Sequence, residues 1–376
     1  MTTLMVQTDR VLHNLHTFQK AVGRAAVIPV LSGNAYGAGD TQMAKLLFAE
    51  GIRLVAVSRL EEAVRVKNAI AGLDVLLLTP YSTEAAAEEI VRHDIVATVG
   101  SYDSAVVLSG IAGKAGKKVR IHFKFDTGNG RFGFLPEEVS KAVQAAKYLD
   151  NLVLTGVYAH ISGSECKKEK QVRRQYETLK EMLTALRREG ISYGVVHAAG
   201  TLPALLYPWL RLDAVRCGSA LMGRLSGVKD RWGFKKVGRL CSEVCDVRWV
   251  PAGYHVGYGR TYRTKRPTKI ALVPAGLADG LTAENARTLL TGRGFFSAPR
   301  AAIRRVSRQK RLTCDVKGRP ARILGYVDYE STMVDVTKVE CAPGDIVSFD
   351  TVPSSVDGSV RRSYVCFCAK AGPLPL

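Results

Sequence analysis

The alternation of short apolar runs with amphipathic stretches between residues 26 and 216 constrains the fold of this chain most strongly. Eight runs have the composition of buried strands, at 26–31, 53–57, 74–78, 95–99, 118–125, 152–158, 193–197 and 213–216. Stretches with helical periodicity separate most of them, such as 41–50, 60–71, 83–92 and 169–189. This pattern predicts an α/β fold, a (β/α)8 TIM barrel. A doubly wound sheet is the alternative, but the even spacing of the runs favours closure.

The sequence pattern changes after about residue 222, where the apolar runs are shorter and are separated by Gly and Pro. These runs lie at 238–250, 269–274, 322–325, 331–336, 346–350 and 363–369. They predict a mostly β C-terminal domain. We therefore place the barrel at 1–224 and the β-rich domain at 225–376, and leave open whether the first strand joins the β domain. A basic insert near 282–311 interrupts the β-rich domain.

Several classes of protein are excluded by simple patterns. No apolar run reaches the length of about 18 residues that a membrane-spanning helix needs, so we expect no membrane insertion. The first residues lack a basic region followed by an apolar core, so no signal peptide is indicated. The chain has eight cysteines, and the close pairs lack the CxxC spacing of zinc ligands. We therefore expect reduced thiols, no metal and a cytoplasmic location.

The net charge of +20 is high for a metabolic enzyme and favours an anionic partner. Basic side chains cluster at 300–311 and again at 167–174. In a helix, most arginines of the first cluster would share one side, which predicts an exposed ridge that binds polyanions weakly. A solvated basic face without a partner is the alternative. The cluster at 300–311 itself contains no aromatic side chain that would stack a base, which argues against single-strand binding there.

Seven short motifs follow one another in a recognisable order. They are LHNL at 12–15, LSGNAYGAG at 31–39, HFKFDTGNGRFG at 122–133, GVYAH at 156–160, HAAGT at 197–201, DAVRCG at 213–218 and GYGRTY at 257–262. Together they resemble the motifs of the alanine racemases along nearly the whole chain. The resemblance implies a fold-type III enzyme dependent on pyridoxal phosphate (PLP), with the barrel first and the β domain second. Ancestry and fold follow from such a resemblance more directly than activity does.

Ser32 departs from the family at the most important position. In alanine racemases the second motif begins Lys-Ala-Asn-Ala-Tyr-Gly, and its lysine holds PLP as a Schiff base. Aligned on the shared Asn-Ala-Tyr-Gly, the lysine column falls on Ser32. A hydroxyl cannot form an imine with an aldehyde, because imine formation needs a primary amine. The resemblance therefore implies a protein that is inactive as a racemase.

The cofactor-binding positions of the family are largely retained. Arg216 matches the arginine that donates to the pyridine nitrogen and keeps it unprotonated, unless it instead pairs with a barrel carboxylate such as Asp213. The positions that contact the phosphate carry hydroxyls or backbone N–H groups, which can cradle an anion. They are Tyr36, Thr201, Gly218 and Ser219. A packing aromatic at the barrel rim is the alternative interpretation of Tyr36.

Lys124 and Arg131 match a pair that shapes the substrate carboxylate site in the family. The lysine there is often carbamylated, which turns a cation into an anion that holds the arginine. A free Lys124 beside Arg131 would be a like-charge pair, which is disfavoured when buried. We therefore expect carbamylation of Lys124 or an acidic neighbour, with a solvated pair as the alternative. Tyr329 stands where the family has a substrate-contacting methionine, and Leu277 replaces a gate tyrosine.

The second base of the racemase reaction remains. In the family it is a tyrosine from the β domain of the partner subunit, and Tyr258 occupies that position. His160 matches the histidine that tunes it. The resemblance therefore implies a homodimer in which each β domain covers the barrel mouth of its partner. A packing role is the alternative for Tyr258.

Three functional interpretations remain open from the sequence. The first is a racemase homologue without racemase activity that keeps an anion pocket and acts as a binding or regulatory protein. The second is an enzyme of altered chemistry that holds PLP non-covalently. The third is a basic interaction protein that binds polyanions and needs no cofactor. Retained phosphate contacts favour the first two, and the basic insert favours the third.

Overall fold

The computed structural model describes residues 1–161, 168–225, 228–257, 260–281 and 312–366, together with the backbone at 374–375. The chain forms two compact units, of which one contains Met1–Asp9 with Val237–Leu376 and the other contains Arg10–Lys236. The chain begins with strand β1 (Thr3–Gln7) and helix α1 (Thr8–Val22). The division between the units therefore falls after Lys236, later than residue 224.

Arg10–Lys236 contains eight short strands that alternate with helices. The strands are β2 (Ala26–Pro29), β3 (Leu54–Val57), β4 (Asp74–Leu77), β5 (Val96–Val99), β6 (Val119–Phe125), β7 (Leu152–Ala159), β8 (Val195–His197) and β9 (Ala214–Cys217). The helices are α2 (Ser32–Tyr36), α3 (Asp40–Ala49), α4 (Leu60–Ala69), α5 (Glu84–Arg92), α6 (Tyr102–Lys114), α7 (Val139–Tyr148), α8 (Glu169–Arg188) and α9 (Thr201–Leu206). Each of the eight runs singled out in the sequence overlaps one of these strands, and six of the runs contain their strand completely.

The eight strands pair in parallel in the order β2-β9-β8-β7-β6-β5-β4-β3. A bridge between Val30 and Ala56 joins the two ends of this order, and the Leu31 N–H donates to the Ala56 carbonyl at 2.8 Å. The sheet is therefore closed, and the predicted (β/α)8 barrel is confirmed. The branched side chains of Ile28 and Leu76 and the small side chain of Ala56 help to fill its interior.

The helices cover the barrel with one apolar face each. In α8, Val172, Leu179 and Leu186 are fully buried and lie seven residues apart, which places them on one stripe. Burial of each such side chain contributes roughly 1.5–3 kcal/mol. Among the described helices, none is both long and apolar enough to cross a membrane.

The other unit is built around a ten-stranded sheet in the order β11-β14-β17-β16-β15-β18-β10-β1-β19-β20. Its later strands are β10 (Gly238–Glu243), β11 (Asp246–Val250), β14 (Thr268–Val273), β15 (Thr313–Val316), β16 (Arg319–Leu324), β17 (Thr332–Asp335), β18 (Ile346–Asp350), β19 (Arg361–Cys366) and β20 (Leu374–Pro375). A two-stranded ribbon is formed by β12 (His255–Val256) and β13 (Tyr262–Arg263). The mostly β C-terminal domain is confirmed, and β1 lies in its sheet between β10 and β19.

Candidate functional site

A cavity of about 470 Å³ lies among residues at the carboxyl ends of the barrel strands. This is the end of a parallel barrel where ligands bind, because every strand delivers the start of a loop there. Most of the polar lining comes from seven of the eight strands or from the segments that follow them. These side chains are Ser32, Ser58, Thr79, Lys124, Tyr158, His160, Thr201 and Arg216, and Tyr36, Arg131 and Ser219 from the loops add to them.

The segment after β2 has an unusual backbone that positions Ser32 and Tyr36. Consecutive residues from Gly33 to Tyr36 have positive φ angles between 52° and 66°. For residues other than glycine this conformation costs roughly 1–2 kcal/mol each, so surrounding contacts must hold it. Glu62 accepts a hydrogen bond from the Asn34 backbone N–H at 2.9 Å, and the Asn34 side chain accepts one from the Asp40 N–H at 2.9 Å. Both Ser32 and Tyr36 thereby line the cavity.

Ser32 offers the cavity a hydroxyl and no amine. Its Oγ lies 2.8 Å from the Ser58 Oγ, so the two hydroxyls form a hydrogen-bonded pair at the ends of β2 and β3. Among the described residues that line the cavity, the one lysine is Lys124. Within the described lining, a covalent imine would therefore depend on Lys124.

Lys124 is almost completely buried, with 1% of its surface exposed. Its Nζ donates to the carbonyls of Phe125 at 2.7 Å and Phe132 at 3.1 Å. Burial lowers the pKa of this amine to about 8; the nearby Asp126 opposes that change, and the Arg216 and Arg131 cations reinforce it. The predicted alternative of a solvated pair is therefore wrong for Lys124, although Arg131 itself is exposed.

Asp126 organises the loop that carries Arg131. Its Oδ1 accepts from the backbone N–H groups of Gly128 at 3.0 Å and Asn129 at 2.7 Å, and its Oδ2 accepts from that of Arg131 at 2.9 Å. Burial alone would raise the pKa of this carboxyl, but the three N–H groups and the Lys124 cation lower it overall. Asp126 therefore stays ionised and is an acidic neighbour of Lys124.

Arg216 is buried in the barrel and is held by several acceptors. Its Nη1 donates to the His197 Nδ1 at 2.6 Å, and its Nη2 donates to the carbonyls of Ala159 at 2.8 Å and Ala198 at 3.1 Å. The alternative of a pair with Asp213 is not what the structure shows, since the Asp213 carboxylate accepts from the Val196 N–H. Burial lowers the pKa of Arg216 to about 10, so the guanidinium stays charged at neutral pH.

The hydrogen bonds of Arg216 fix the protonation of two buried histidines. A guanidinium can only donate, so the His197 Nδ1 accepts and its Nε2 carries the proton. That Nε2 lies 3.1 Å from the His122 Nδ1, which must then accept in turn. Burial and the Arg216 cation lower the pKa of His122 to about 4 and that of His197 well below its usual value. The chain Arg216–His197–His122 therefore carries its positive charge on the arginine alone.

Tyr158 on β7 and His160, the residue directly after β7, complete the wall of the cavity. The Nδ1 of His160 lies 3.4 Å from the Arg216 Nη2, and burial followed by that cation lowers the His160 pKa to about 3. The Tyr158 hydroxyl donates to the Leu78 carbonyl at 2.8 Å. The Tyr158 ring stacks on the His197 ring, with 4.9 Å between the ring centroids. Burial raises the pKa of Tyr158 to about 12. Both groups are therefore neutral at physiological pH.

The expected phosphate contacts come together in the same cavity, which Tyr36, Thr201, Gly218 and Ser219 all line. The Gly218 N–H donates to the Thr201 Oγ1 at 3.1 Å. A Cβ added to Gly218 would lie 2.1 Å from the Tyr36 hydroxyl, so the glycine lets this hydroxyl approach the backbone. Burial, followed by the Cys217 thiol, raises the pKa of Tyr36, which keeps the hydroxyl protonated and able to donate.

Several of these residues were missed in the sequence, namely His122, Asp126, Tyr158 and His197. A period-two pattern on the strands could have found some of them, because His122 and Lys124 face the same side of β6. Gly156 supplied a second signal, since a Cβ there would lie 2.6 Å from the His122 ring. The inward His122 on β6 therefore requires a glycine at position 156 of β7.

Other sequence-derived candidates do not belong to this cavity or cannot be placed. Tyr258 lies outside the described residues, as does the basic insert at 282–311. Tyr329 belongs to the other unit, where its side chain is 70% exposed and its carbonyl accepts from the Ala278 N–H at 2.8 Å. Within the described ranges, no group of three or more His, Cys, Asp or Glu side chains is placed to hold a metal ion.

The chain matches two family descriptions in succession. Residues 6–226 match the N-terminal domain of alanine racemase, and residues 237–354 match its C-terminal domain. The chain belongs to the alanine racemase family. The assignment agrees with the closed barrel, the β unit and the order of the sequence motifs.

Relatives and solved structures agree with this assignment. Alanine racemase 2 of Caldanaerobacter subterraneus subsp. tengcongensis is 31% identical over 345 residues, which is 90% of this chain and 82% of the relative. An alanine racemase of Clostridium perfringens (strain SM101) is 30% identical over 340 residues, or 89% and 82% of the two chains.

Two solved structures bear on the fold. The structure of alanine racemase from Clostridium difficile 630 has a TM-score of 0.83 at 24% identity and covers 99% of this chain and 97% of that one. One from Bartonella henselae, described with covalently bound pyridoxal phosphate, has a TM-score of 0.75 at 22% identity, with coverage of 97% and 99%.

Proposed function

We propose that this chain binds PLP, or a closely related phosphorylated pyridine, without a covalent bond and does not racemise alanine. The observation that carries this proposal is the Ser32–Ser58 hydroxyl pair, at 2.8 Å, in the place where the family resemblance puts the PLP lysine. A binding or regulatory role follows from a retained pocket that lacks its covalent anchor.

The phosphate end of the cofactor fits the residues present. The approach of Tyr36 to Gly218 forms a cradle that a single Cβ would fill. The Tyr36 hydroxyl is a protonated donor, and Thr201 and Ser219 add hydroxyls to the same wall. Hydroxyls and backbone N–H groups of this kind bind a phosphate without a lysine or arginine.

The pyridine end of the cofactor fits Arg216. The described hydrogen bonds of Arg216 use Nη1 and Nη2 and include none from Nε. Nε–H is therefore the guanidinium donor left for an aromatic nitrogen of a ligand. Because Arg216 holds its proton with a pKa of about 10, it would donate a hydrogen bond and leave that nitrogen unprotonated.

Ser32 and His160 do not replace the missing lysine. PLP, when bound, supplies an aldehyde and an electron sink for amino-acid chemistry. The Ser32 hydroxyl is too weakly basic to take a proton as an amine would, and the pKa of His160, lowered to about 3 by burial and by Arg216, makes this imidazole a weak base. Loss of one positioned acid–base group alone costs roughly 10²–10⁴-fold in rate, and the covalent anchor is missing as well.

An enzyme of altered chemistry is the second candidate, and Lys124 favours it. An amine with a pKa of about 8 is partly neutral under physiological conditions, and a neutral amine can act as a base or a nucleophile. Its two carbonyl acceptors direct the amine toward the backbone, which supports the first candidate over the second.

We also propose a homodimer in which the partner's β domain brings the tyrosine at position 258 to the barrel mouth. The proposal rests on the family resemblance, since this position lies outside the described residues. A second copy would cover the cavity, which opens at the end of the barrel in the isolated chain.

The test combines binding and turnover in the purified chain. Equilibrium dialysis against PLP should give saturable binding, and the dialysed protein should lose the cofactor completely. The same protein should not interconvert L- and D-alanine above a buffer blank. Ser32→Lys should release PLP more slowly than the wild type does, because its amine can form an imine. Ser58→Ala is the control, since it alters the hydroxyl pair without adding an amine. Robust racemisation by the wild type, or no PLP binding at all, would overturn the proposal.

A further inference from the structure

The Ser32–Ser58 pair keeps hydrogen-bonding capacity that a ligand can use. A hydroxyl has one proton to donate and two lone pairs that accept. Within the described part of the chain, the side-chain hydrogen bond of each serine joins it to the other, at 2.8 Å. One of the two protons lies in that bond, so the pair retains a second proton and several lone pairs. Both serines line the cavity, so these groups are open to a ligand.

Glu62 fixes the backbone beside both members of the pair. Its Oε1 accepts from the Asn34 N–H at 2.9 Å, and its Oε2 accepts from the Arg59 N–H at 3.3 Å. Asn34 follows Ser32 by two residues, and Arg59 follows Ser58 directly. A single buried carboxylate, 5% exposed, therefore ties together the two segments that carry the serines. The position of the pair is set by the barrel and does not depend on a ligand.

The charged side chains of the described lining are all cations. They are Lys124, Arg131 and Arg216, and the lining described here includes no Asp or Glu. Asp126 lies near Lys124, but its oxygens accept from three backbone N–H groups of its own loop. Each cation of the lining would repel a further positive charge in the same cavity. The cavity therefore favours ligand groups that are neutral or anionic.

Three phosphorylated pyridines share the ring and the phosphate of PLP and differ in one group. Where PLP carries its aldehyde, pyridoxine 5′-phosphate carries a hydroxymethyl group and pyridoxamine 5′-phosphate carries an aminomethyl group. An aldehyde oxygen only accepts hydrogen bonds, a hydroxymethyl group donates and accepts, and a protonated aminomethyl group only donates and is a cation. The phosphate and the pyridine nitrogen are common to all three, so a difference in affinity reports on this one group.

We propose that the Ser32–Ser58 pair binds the hydroxymethyl group of pyridoxine 5′-phosphate and makes this alcohol the preferred ligand of the cavity. The inference rests on the function proposed above, because the family resemblance places the PLP aldehyde at Ser32. The free proton of the pair donates to the ligand hydroxyl, and a lone pair of the pair accepts the proton of that hydroxyl. The aldehyde of PLP can form only the first of these bonds. An aminomethyl cation could donate to the pair, but it would add a positive charge to a cavity lined by cations.

The test measures the affinity of the purified full-length protein for the three compounds by equilibrium dialysis. Because an aldehyde also reacts with surface lysines, only the bound fraction that excess inorganic phosphate displaces is counted. One additional hydrogen bond should make pyridoxine 5′-phosphate bind roughly threefold to tenfold more tightly than PLP. Pyridoxamine 5′-phosphate should bind at least about tenfold more weakly than the alcohol, because its cation is repelled by the lining.

Two near-isosteric substitutions remove the hydroxyls of the pair. In S32A/S58A the ratio of the two affinities, alcohol over aldehyde, should fall to about one, because neither ligand then meets a hydroxyl at this position. S32A and S58A should each lower the ratio as well, so the test does not depend on the double variant alone. Thermal unfolding of every variant checks that the fold is retained.

Ser219→Ala is the matched control, since it removes a hydroxyl from the phosphate end of the same cavity. All three compounds carry the same phosphate. The substitution should therefore weaken their binding by a common factor and leave the ratio of the affinities for alcohol and aldehyde as it is in the wild type.

Equal affinities for the alcohol and the aldehyde in the wild type would overturn the inference, as would a preference for PLP or for the amine. A preference for the alcohol that folded S32A/S58A retains would also overturn it, because the serines would then not be its cause. Failure of the inference is distinguishable from failure of the proposed function. If the three compounds bind alike, only the preference fails, whereas if none of them binds, the proposed function fails as well.

Discussion

Gly218→Ala tests whether Tyr36 and Gly218 form an anion cradle. The added Cβ would lie 2.1 Å from the Tyr36 hydroxyl, 2.8 Å from its Cζ and 3.0 Å from its Cε2. Ordinary van der Waals contact begins at 3.4 Å, so the hydroxyl must retreat by 1.3 Å.

A retreat of this size removes one hydrogen bond from Tyr36 to a bound phosphate. Hydrogen bonds to charged groups contribute about 1.5–3 kcal/mol. At 1.4 kcal/mol for each factor of ten, the affinity for PLP should fall roughly 10- to 150-fold. The binding of pyridoxal without the phosphate should change little, because its missing group is the one that the cradle contacts.

The control is Gly200→Ala. Gly200 lines the same cavity, but a Cβ there meets no atom within 4 Å, so the substitution should leave affinity nearly unchanged. Equilibrium dialysis with PLP and with pyridoxal measures both variants, and thermal unfolding shows whether either loses the fold. Equal PLP affinities for the two folded variants would refute the cradle.

The remaining predictions concern the loop, the histidines and the assembly. Asp126→Asn should destabilise the chain by about 1.5–3 kcal/mol, because an amide donor would face the Arg131 N–H, whereas the exposed Asp150→Asn should change stability by less than about 0.5 kcal/mol. Urea unfolding measures the difference in stability between wild type and Asp126→Asn. Because the pKa of Asp126 is lowered in the folded state, the stabilisation by its carboxylate is lost as the pH falls through that pKa. The difference between the two proteins should therefore shrink in acid. The pKa of His122 is lowered from 6.5 to about 4, so the wild type should lose stability as pH falls through that window, by at most about 1.36 kcal/mol per pH unit for this residue. His122→Gln should make the dependence shallower, and an unchanged slope in urea unfolding would contradict a neutral buried histidine. Sedimentation velocity at micromolar concentration should give a homodimer, and a monodisperse monomer would be evidence against a shared barrel mouth.

The barrel was predictable from the sequence because its strands are short apolar runs separated by helices of regular period. Both faces of a parallel strand are buried, so β5, whose four residues are all buried, forms a continuous apolar run. Strand ends were less predictable. The run at 193–197 contains a strand that begins only at Val195, because strand ends depend on pairing with neighbours that the local sequence does not reveal.

Site residues could be predicted when they belong to a sequence motif, but not when their role depends on a contact between distant parts of the chain. Arg216 was found by resemblance, but its hydrogen bond to His197 joins residues of different strands that pair only in the closed barrel. For Lys124 the expectation was carbamylation or an acidic neighbour, and Asp126, two residues further on, is such a neighbour. The burial that sets the pKa of Lys124 depends on the whole barrel, which no local pattern encodes.

The absence of a covalent anchor at Ser32 is tested most directly by intact mass after reduction. Wild type and Ser32→Lys are each saturated with PLP, treated with borohydride and denatured, and their intact masses are measured by mass spectrometry. Reduction makes an imine permanent, so Ser32→Lys should gain the mass of one pyridoxyl phosphate group and the wild type should gain none. Stoichiometric labelling of the wild type, removed by Lys124→Met, would contradict the account and assign the anchor to Lys124.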